Sequence, residues 1–198
     1  MTKVYELQAV ATLTMGTSPK GSTYNSDGTG MPLLNGPTEF GAVHPVCTLF
    51  TTSPVRTCKA GDLLFCVRGS TTGRMNWADR PYAIGRGVAA IRSYSPPETR
   101  YLRYYLEAHL PSLLKRAGGG TFPNLRQADI ATFPILWPDN RKEIAAVLTA
   151  YDELIENNTR RIQVLEDMVQ ALYREWFCEF RFPGHEDVEL VDSELGAI

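Results

Sequence analysis

No stretch of this sequence approaches the ~18 consecutive apolar residues of a membrane span, and the opening MTKVYELQAV lacks a signal peptide's apolar block. Both absences argue against a membrane or secreted protein and for the cytoplasm. Cysteine is scarce. Cys47, Cys58, Cys66 and Cys178 form no CxxC and no disulfide-rich spacing, which suits a reducing compartment. Histidine is scarcer: His44, His109 and His185 lie far apart, with no HExxH or other ligand spacing. Three loop-region cysteines could in principle hold zinc, but small buried hydrophobes account for Cys47, Cys58 and Cys66 better, so no metal site is assigned. There is no GxxxxGK[ST] loop, no GxSxG elbow and no Asp-Pro-Pro-Tyr methyltransferase motif. Gly85 to Ala90 fits a loose GxGxxA, but it precedes an apolar strand-like run instead of opening a helix, which rejects a dinucleotide site. No catalytic residue and no resident cofactor is expected.

What is present divides the chain in two. Its 198 residues, 43% hydrophobic and 21% charged, suit one globular domain with an attached module. Residues 1–138 hold fourteen Lys and Arg against eight Asp and Glu, a net of +6; residues 139–198 hold six against fourteen, a net of −8. A basic first part and an acidic second part suggest different partners, the first a polyanion. Punctuation divides likewise: fourteen of sixteen glycines and twelve of thirteen prolines precede residue 139. Between them run short apolar stretches, Val4–Leu13, Leu63–Val67 and Val88–Ile91, of which GDLLFCVRG and GVAAIRS read as core strands. One helix is expected from Pro97 to Lys115, ended by Gly118-Gly119-Gly120. The segment Gly16–Gly41 has no clear period and reads as a long surface loop of the kind that carries binding. The fold class is α+β: a glycine-rich mixed α/β domain over 1–138, a long coiled-coil helix over 139–178, and a tail over 179–198.

The helix announces itself by spacing. Ile144, Leu148, Tyr151, Ile155, Asn158, Ile162, Leu165, Val169, Leu172 and Trp176 recur at 4, 3, 4, 3, 4, 3, 4, 3, 4, a heptad seam with one polar interruption. Pro138 precedes it, and Asp139 or Asn140 can cap it. At ~1.5 Å per residue the rod is about 57 Å long. A domain of this size cannot cover such a seam, so pairing with a second helix is the stronger reading against partial packing on its own domain. Asn158 either fixes the register of that pair or marks a bend.

Arginines of the first region fall in turns: Arg68 and Arg74 in RGSTTGR, Arg80 in ADRP, Arg86 in IGRG, with Lys20 in GTSPKGSTY. In a turn the planar guanidinium is suited to phosphate or to the acceptor edge of guanine. Ser18, Ser22, Thr23, Tyr24, Asn25, Ser70, Thr71, Thr72 and Asn76 supply short polar groups beside them, and Tyr24 or Trp77 could stack.

With these residues in view, the chain resembles the specificity subunit of type I restriction–modification systems. GTSPKGSTYNSDGTGMPLLNG resembles the family's opening loop, AGDLLFCVRGSTTGRMNWADRPYAIGRGVAAIRS its central strands, and the run from GGGTFPNLRQADI through REWF its junction with a long conserved helix. The resemblance implies a non-catalytic target recognition domain that reads half of a split site in double-stranded DNA, followed by a spacer helix. The helix would dock DNA methyltransferase (modification) subunits, which hold S-adenosylmethionine and methylate adenine, together with restriction subunits. The DNA-facing candidates are then Lys20, Ser22, Thr23, Tyr24, Arg68, Ser70, Thr71, Arg74 and Arg86, with the seam from Ile144 to Trp176 as the helix-pairing face. The usual member has two recognition domains and two long helices; this sequence has one of each. It is therefore half of a longer subunit or a natural half-subunit that pairs as a homodimer. A coiled-coil adaptor without DNA specificity is the competing reading.

Overall fold

A computed structural model describes residues 2–118, 122–187, 192, 193, 196 and 197. The expected helix stop at Gly119-Gly120, and residues 188–191, 194, 195 and 198 of the tail, lie outside the described residues. The chain divides into two compact units, Met1–Thr149 and Ala150–Ile198.

The apolar run Val4–Leu13 folds not as one strand but as β1 (Lys3–Glu6), a single helical turn α1 (Leu7–Val10) and β2 (Ala11–Met15). The turn drives Leu7 and Val10 into the core, which a straight strand of alternating faces would not do. The expected loop Gly16–Gly41 is also partly strand: β3 (Tyr24–Asn25) and β4 (Met31–Leu34) lie in it, and Leu33 and Leu34 are fully buried. Next come β5 (Phe50–Thr51), β6 (Thr57–Cys58), β7 (Leu63–Cys66), β8 (Met75–Trp77), β9 (Tyr82–Ile84) and β10 (Val88–Ser93). The expected helix over 97–115 is two, α2 (Pro96–Ala108) and α3 (Leu110–Leu114), broken at His109. Pro111 explains the break, because its ring clashes with the preceding helical turn and its nitrogen has no hydrogen to donate. Then follow α4 (Gln127–Ala131), β11 (Pro134–Trp137), paired antiparallel with β1, and α5 (Arg141–Tyr173).

The central sheet is fully antiparallel in the order β2-β10-β7-β8 and is covered on both faces. Successive residues of β7 and β10 point to opposite sides. Leu63, Phe65, Val67, Ala89 and Ile91 meet α1, α2, α3 and α4 in one core cluster. Leu64, Cys66, Val88 and Ala90 meet Leu34, Phe40, Cys58, Tyr82 and Ile84 in a second. That is why LLFCV reads as an unbroken apolar run rather than an alternating one. The second cluster lies between the central sheet and a five-stranded sheet in the order β3-β5-β4-β9-β6, antiparallel except for β4 beside β9. Burial pushes the Cys58 thiol up to about 12 and the Cys47 thiol to about 11, so both stay neutral in this cluster.

The first unit extends past residue 138. Ile144 packs on the helical core cluster and Ala145 is buried in it. The Tyr104 hydroxyl donates to Thr149 Oγ1 at 3.3 Å. Arg141 donates to Glu98 Oε1 from Nε at 3.0 Å and from Nη2 at 2.5 Å, and its guanidinium lies 4.7 Å from the centre of the Trp137 ring. The first turns of α5 are thus held by the globular unit itself.

Candidate nucleic-acid interface

Four strand ends meet at one rim of the central sheet. β2 and β7 end there while β8 and β10 begin there, because Met15 pairs with Ala89, Cys66 with Val88 and Phe65 with Met75. The turns leaving that rim are the ones rich in arginine and glycine. Hydrogen bonds tie them together: Gly16 N donates to Val88 O and Thr17 N to Ile84 O, both at 2.9 Å, and Val67 N donates to Gly87 O at 2.9 Å. The Arg86 amide donates to Ser18 Oγ at 3.3 Å. A Cβ on Gly16 would stand 2.1 Å from Gly85 O and 2.6 Å from Val88 O, so only glycine lets these turns approach so closely.

The rim therefore gathers Lys20, Arg68, Ser70, Thr71, Arg74 and Arg86 from three separate stretches of chain. Lys20, Arg68, Ser70 and Arg86 are exposed. Thr71 is half-buried, and its carbonyl accepts from the Arg74 amide at 3.0 Å. Arg74 differs from the other arginines. Its guanidinium donates to Pro37 O at 3.4 Å and to Phe40 O at 3.3 Å. Ser22, Thr23 and Tyr24 carry the chain from the rim to β3. Ser22 is exposed, but Thr23 Oγ1 donates to Lys20 O at 2.7 Å, lies 2.9 Å from Thr51 Oγ1, and the Tyr24 hydroxyl donates to Pro19 O at 3.3 Å. Those two side chains brace the loop.

Several polar neighbours prove to be scaffold. Thr72 is buried, with Oγ1 donating to Gly69 O at 2.7 Å and Pro123 O at 3.0 Å. Asn25 Nδ2 donates to Thr29 O at 2.9 Å within its own loop. Arg80 lies 5.6 Å from the centre of the Tyr82 ring, and Trp77 sits beneath Arg100 at 5.8 Å, away from any stacking role at the rim.

Sequence reasoning missed Arg56. Its carbonyl accepts from Ile84 N at 2.9 Å, which sets it beside the Gly85–Gly87 turn, and its side chain is exposed. The segment TSPVRT around it carries the same turn-rich context as the other arginines. The 122–126 segment was also missed. It hangs on the 67–72 turn through the Arg68–Asn124 bridge and through Leu125 N donating to Val67 O at 2.9 Å. Lys20, Arg56, Arg68 and Arg86 make no ion pair among the described residues, so the rim presents uncompensated positive charge.

On α5 the proposed pairing residues separate. Ile144 belongs to the domain core, a correction to the ten-residue seam, and Leu148 is 37% exposed at its edge. Tyr151, Ile155, Asn158, Ile162, Leu165, Val169 and Leu172 are exposed, and the helix runs unbroken through Asn158. Ile155 is 62% and Leu165 59% exposed, alongside Leu154 and Met168, which the 4-3 pattern did not include. Trp176 leaves the seam. The α-helix stops at Tyr173 and a wider π turn, Arg174–Cys178, follows, so the heptad phase is lost. Trp176 instead lines a hollow of about 340 Å³ with Phe182, Pro183 and His185.

The family model described as type I restriction modification DNA specificity domain matches residues 2–167. The chain is 34% identical over 155 residues to a type I restriction enzyme MjaX specificity subunit of Methanocaldococcus jannaschii, covering 77% of this chain and 36% of that protein. It is 31% identical over 70 residues to the HindI specificity subunit of Haemophilus influenzae, covering 34% of this chain and 15% of that one. Among solved structures, the HsdS subunit from Thermoanaerobacter tengcongensis matches with a TM-score of 0.68 at 28% identity, over 89% of this chain and 44% of that chain. A chain from a structure of type I R-M system assembly and conformational transition matches at 0.70 and 30%, over 86% and 43%. The chain thus spans roughly a third or less of the curated relatives it matches and under half of those solved chains.

Proposed function

Because this chain belongs to the type I restriction–modification DNA specificity domain family, we propose that its first unit is a non-catalytic target recognition domain for double-stranded DNA. The observation that carries this reading is the rim and its surroundings, where Lys20, Arg56, Arg68 and Arg86 come from four separate stretches of chain and make no ion pair among the described residues. Counterion release from DNA would reward such a surface. The exposed side of α5 would pair with the helix of a second copy and dock DNA methyltransferase subunits. Those partners would hold S-adenosylmethionine, and restriction subunits would join the same assembly in the cytoplasm. No helix here is long and apolar enough to cross a membrane among the described residues.

The test is site selection. The chain, combined with the type I modification subunit from its own host, is incubated with a randomised duplex pool and the retained sequences are read. A defined motif is expected. Arg68→Ala and Arg86→Ala should each weaken binding to all duplexes and flatten the log K against log salt slope by about 1. Retention without any sequence preference, or none at all, would overturn the reading in favour of a coiled-coil adaptor.

A further inference from the structure

Between the two arginine turns of the rim runs a strap, residues 35–43. It leaves β4 beside the Gly85–Gly87 turn. There Gly85 N donates to Leu34 O at 2.8 Å, and a Cβ on Gly87 would stand 2.5 Å from Asn35 O and 3.2 Å from Gly36 Cα. The strap ends against β8, where Asn76 Nδ2 donates to Gly41 O at 2.9 Å and Trp77 N to Val43 O at 3.0 Å. Its middle is a tight turn. Phe40 N donates to Pro37 O at 3.1 Å and Gly36 N to Glu39 Oε2 at 3.3 Å. Phe40 plugs into the second core cluster and Thr38 stands exposed at the crown.

Arg74 grips this crown from the neighbouring turn. Its two terminal nitrogens reach Pro37 O and Phe40 O, the carbonyls that bracket Thr38. A lysine could not span both, since its ammonium is one point on a flexible stem, whereas a guanidinium is a fixed fork. We infer that Arg74 is a positioning residue and that the strap it holds is a specificity-determining segment, with Thr38 facing base edges. Arg68 and Arg86 meet the polyanion directly; Arg74 acts on it through the strap. A threonine hydroxyl can pair with either kind of base edge, and its methyl can meet the thymine methyl. The inference rests on the DNA-recognition reading above.

The experiment uses the full chain with its modification subunit, the duplex selected by the wild type and a scrambled duplex as probes. Arg74→Ala is expected to lower the ratio of selected to scrambled affinity about tenfold, the size of one lost base contact, while leaving the salt slope for the scrambled duplex unchanged. Thr38→Ala should relax preference at the same base positions. Arg74→Lys should restore only part of the ratio. In the free chain, the Phe40 amide should exchange several-fold faster in Arg74→Ala but not in Arg86→Ala. A slope flattened by about 1 with base preferences intact would make Arg74 a phosphate contact and overturn the inference. Equal loss on both duplexes with faster exchange throughout the domain would reduce Arg74 to a fold-stabilising role and overturn it too. If the wild type selects no sequence, the recognition reading itself fails, and faster Phe40 exchange in Arg74→Ala would then mark the strap contact as purely structural.

Discussion

Arg74 and Arg86 share a local context, a turn punctuated by glycine, and end in different chemistry. Nothing within a few residues of Arg74 reveals that its partners lie on carbonyls of residues 37 and 40. The candidate site was therefore legible as a set of turns, but the tertiary hydrogen bonds that set Arg74 apart from its neighbours were not. The same holds for Arg141, a cation in the first turn of α5. In the fold it caps the buried carboxylate of Glu98, which burial would raise but the hydrogen bonds and charge of Arg141 hold below the usual glutamate value of about 4.5. A carboxylate with a depressed native value contributes stability that is complete above its unfolded value and is lost as the pH falls through the native one. Wild-type stability should thus decline on acidification below about pH 4.5 as this pair is neutralised. Arg141→Ala leaves Glu98 buried without its partner and should cost about 3 kcal/mol near neutrality. In the variant Glu98 protonates more readily, so the gap between the two proteins should narrow toward acid. Urea unfolding of both at neutral pH and near pH 4 measures it, and a gap constant with pH would show that the ion pair is not the cause.

Elements were legible in proportion to their length. β7 and β10 lie in apolar runs of five and four residues, Leu63–Val67 and Val88–Ile91, set off by nearby glycines, and both strands stand where expected. β3, β5 and β6 are two residues each, too short for any period to register, so the five-stranded sheet was not legible, and two of its strands, β3 and β4, lie in the stretch read as a loop. For α5 the 4-3 spacing identified the helix but not where it changes surroundings. Its first turns bury Ala145 and Thr149 and pack Ile144 on the domain, whereas Ile155 to Leu172 carry the apolar side chains into the open. One heptad pattern therefore runs from the domain core onto an exposed face. Ile144→Asp should place a charge against the core and lower the thermal midpoint of the whole domain, by about 3 kcal/mol of stability. Leu165→Asp should leave that midpoint alone and abolish self-association and modification-subunit docking. Differential scanning fluorimetry beside size-exclusion with light scattering separates the two. Unfolding by both variants would mean that the exposed seam is needed by the domain itself.

At the scale of the whole molecule, residues 1–138 carry a net +6 and residues 139–198 a net −8, so the proposed DNA contact and the proposed helix contact fall on parts of opposite charge. DNA bound as proposed would be drawn to the first part and repelled by the second, which would favour docking at the rim over wrapping around the helix. One chain offers one rim, and the large apolar side chains exposed on α5 are the surface through which pairing is proposed. If two copies pair through that surface, twofold symmetry requires the selected DNA to be an inverted repeat of one half-site. Asn158, exposed in the single chain, then becomes a buried amide satisfied in one register only, which fixes the spacing between halves. Linking two rims makes the second binding event intramolecular, so Leu165→Asp should lower affinity for the full repeat by about 100-fold or more while hardly changing affinity for an isolated half-site. Light scattering should give twice the chain mass for the wild type and the chain mass for the variant. A wild-type protein that is monomeric at micromolar concentration, with and without the modification subunit, and that selects one continuous asymmetric site would overturn the paired arrangement and leave the rim to act alone.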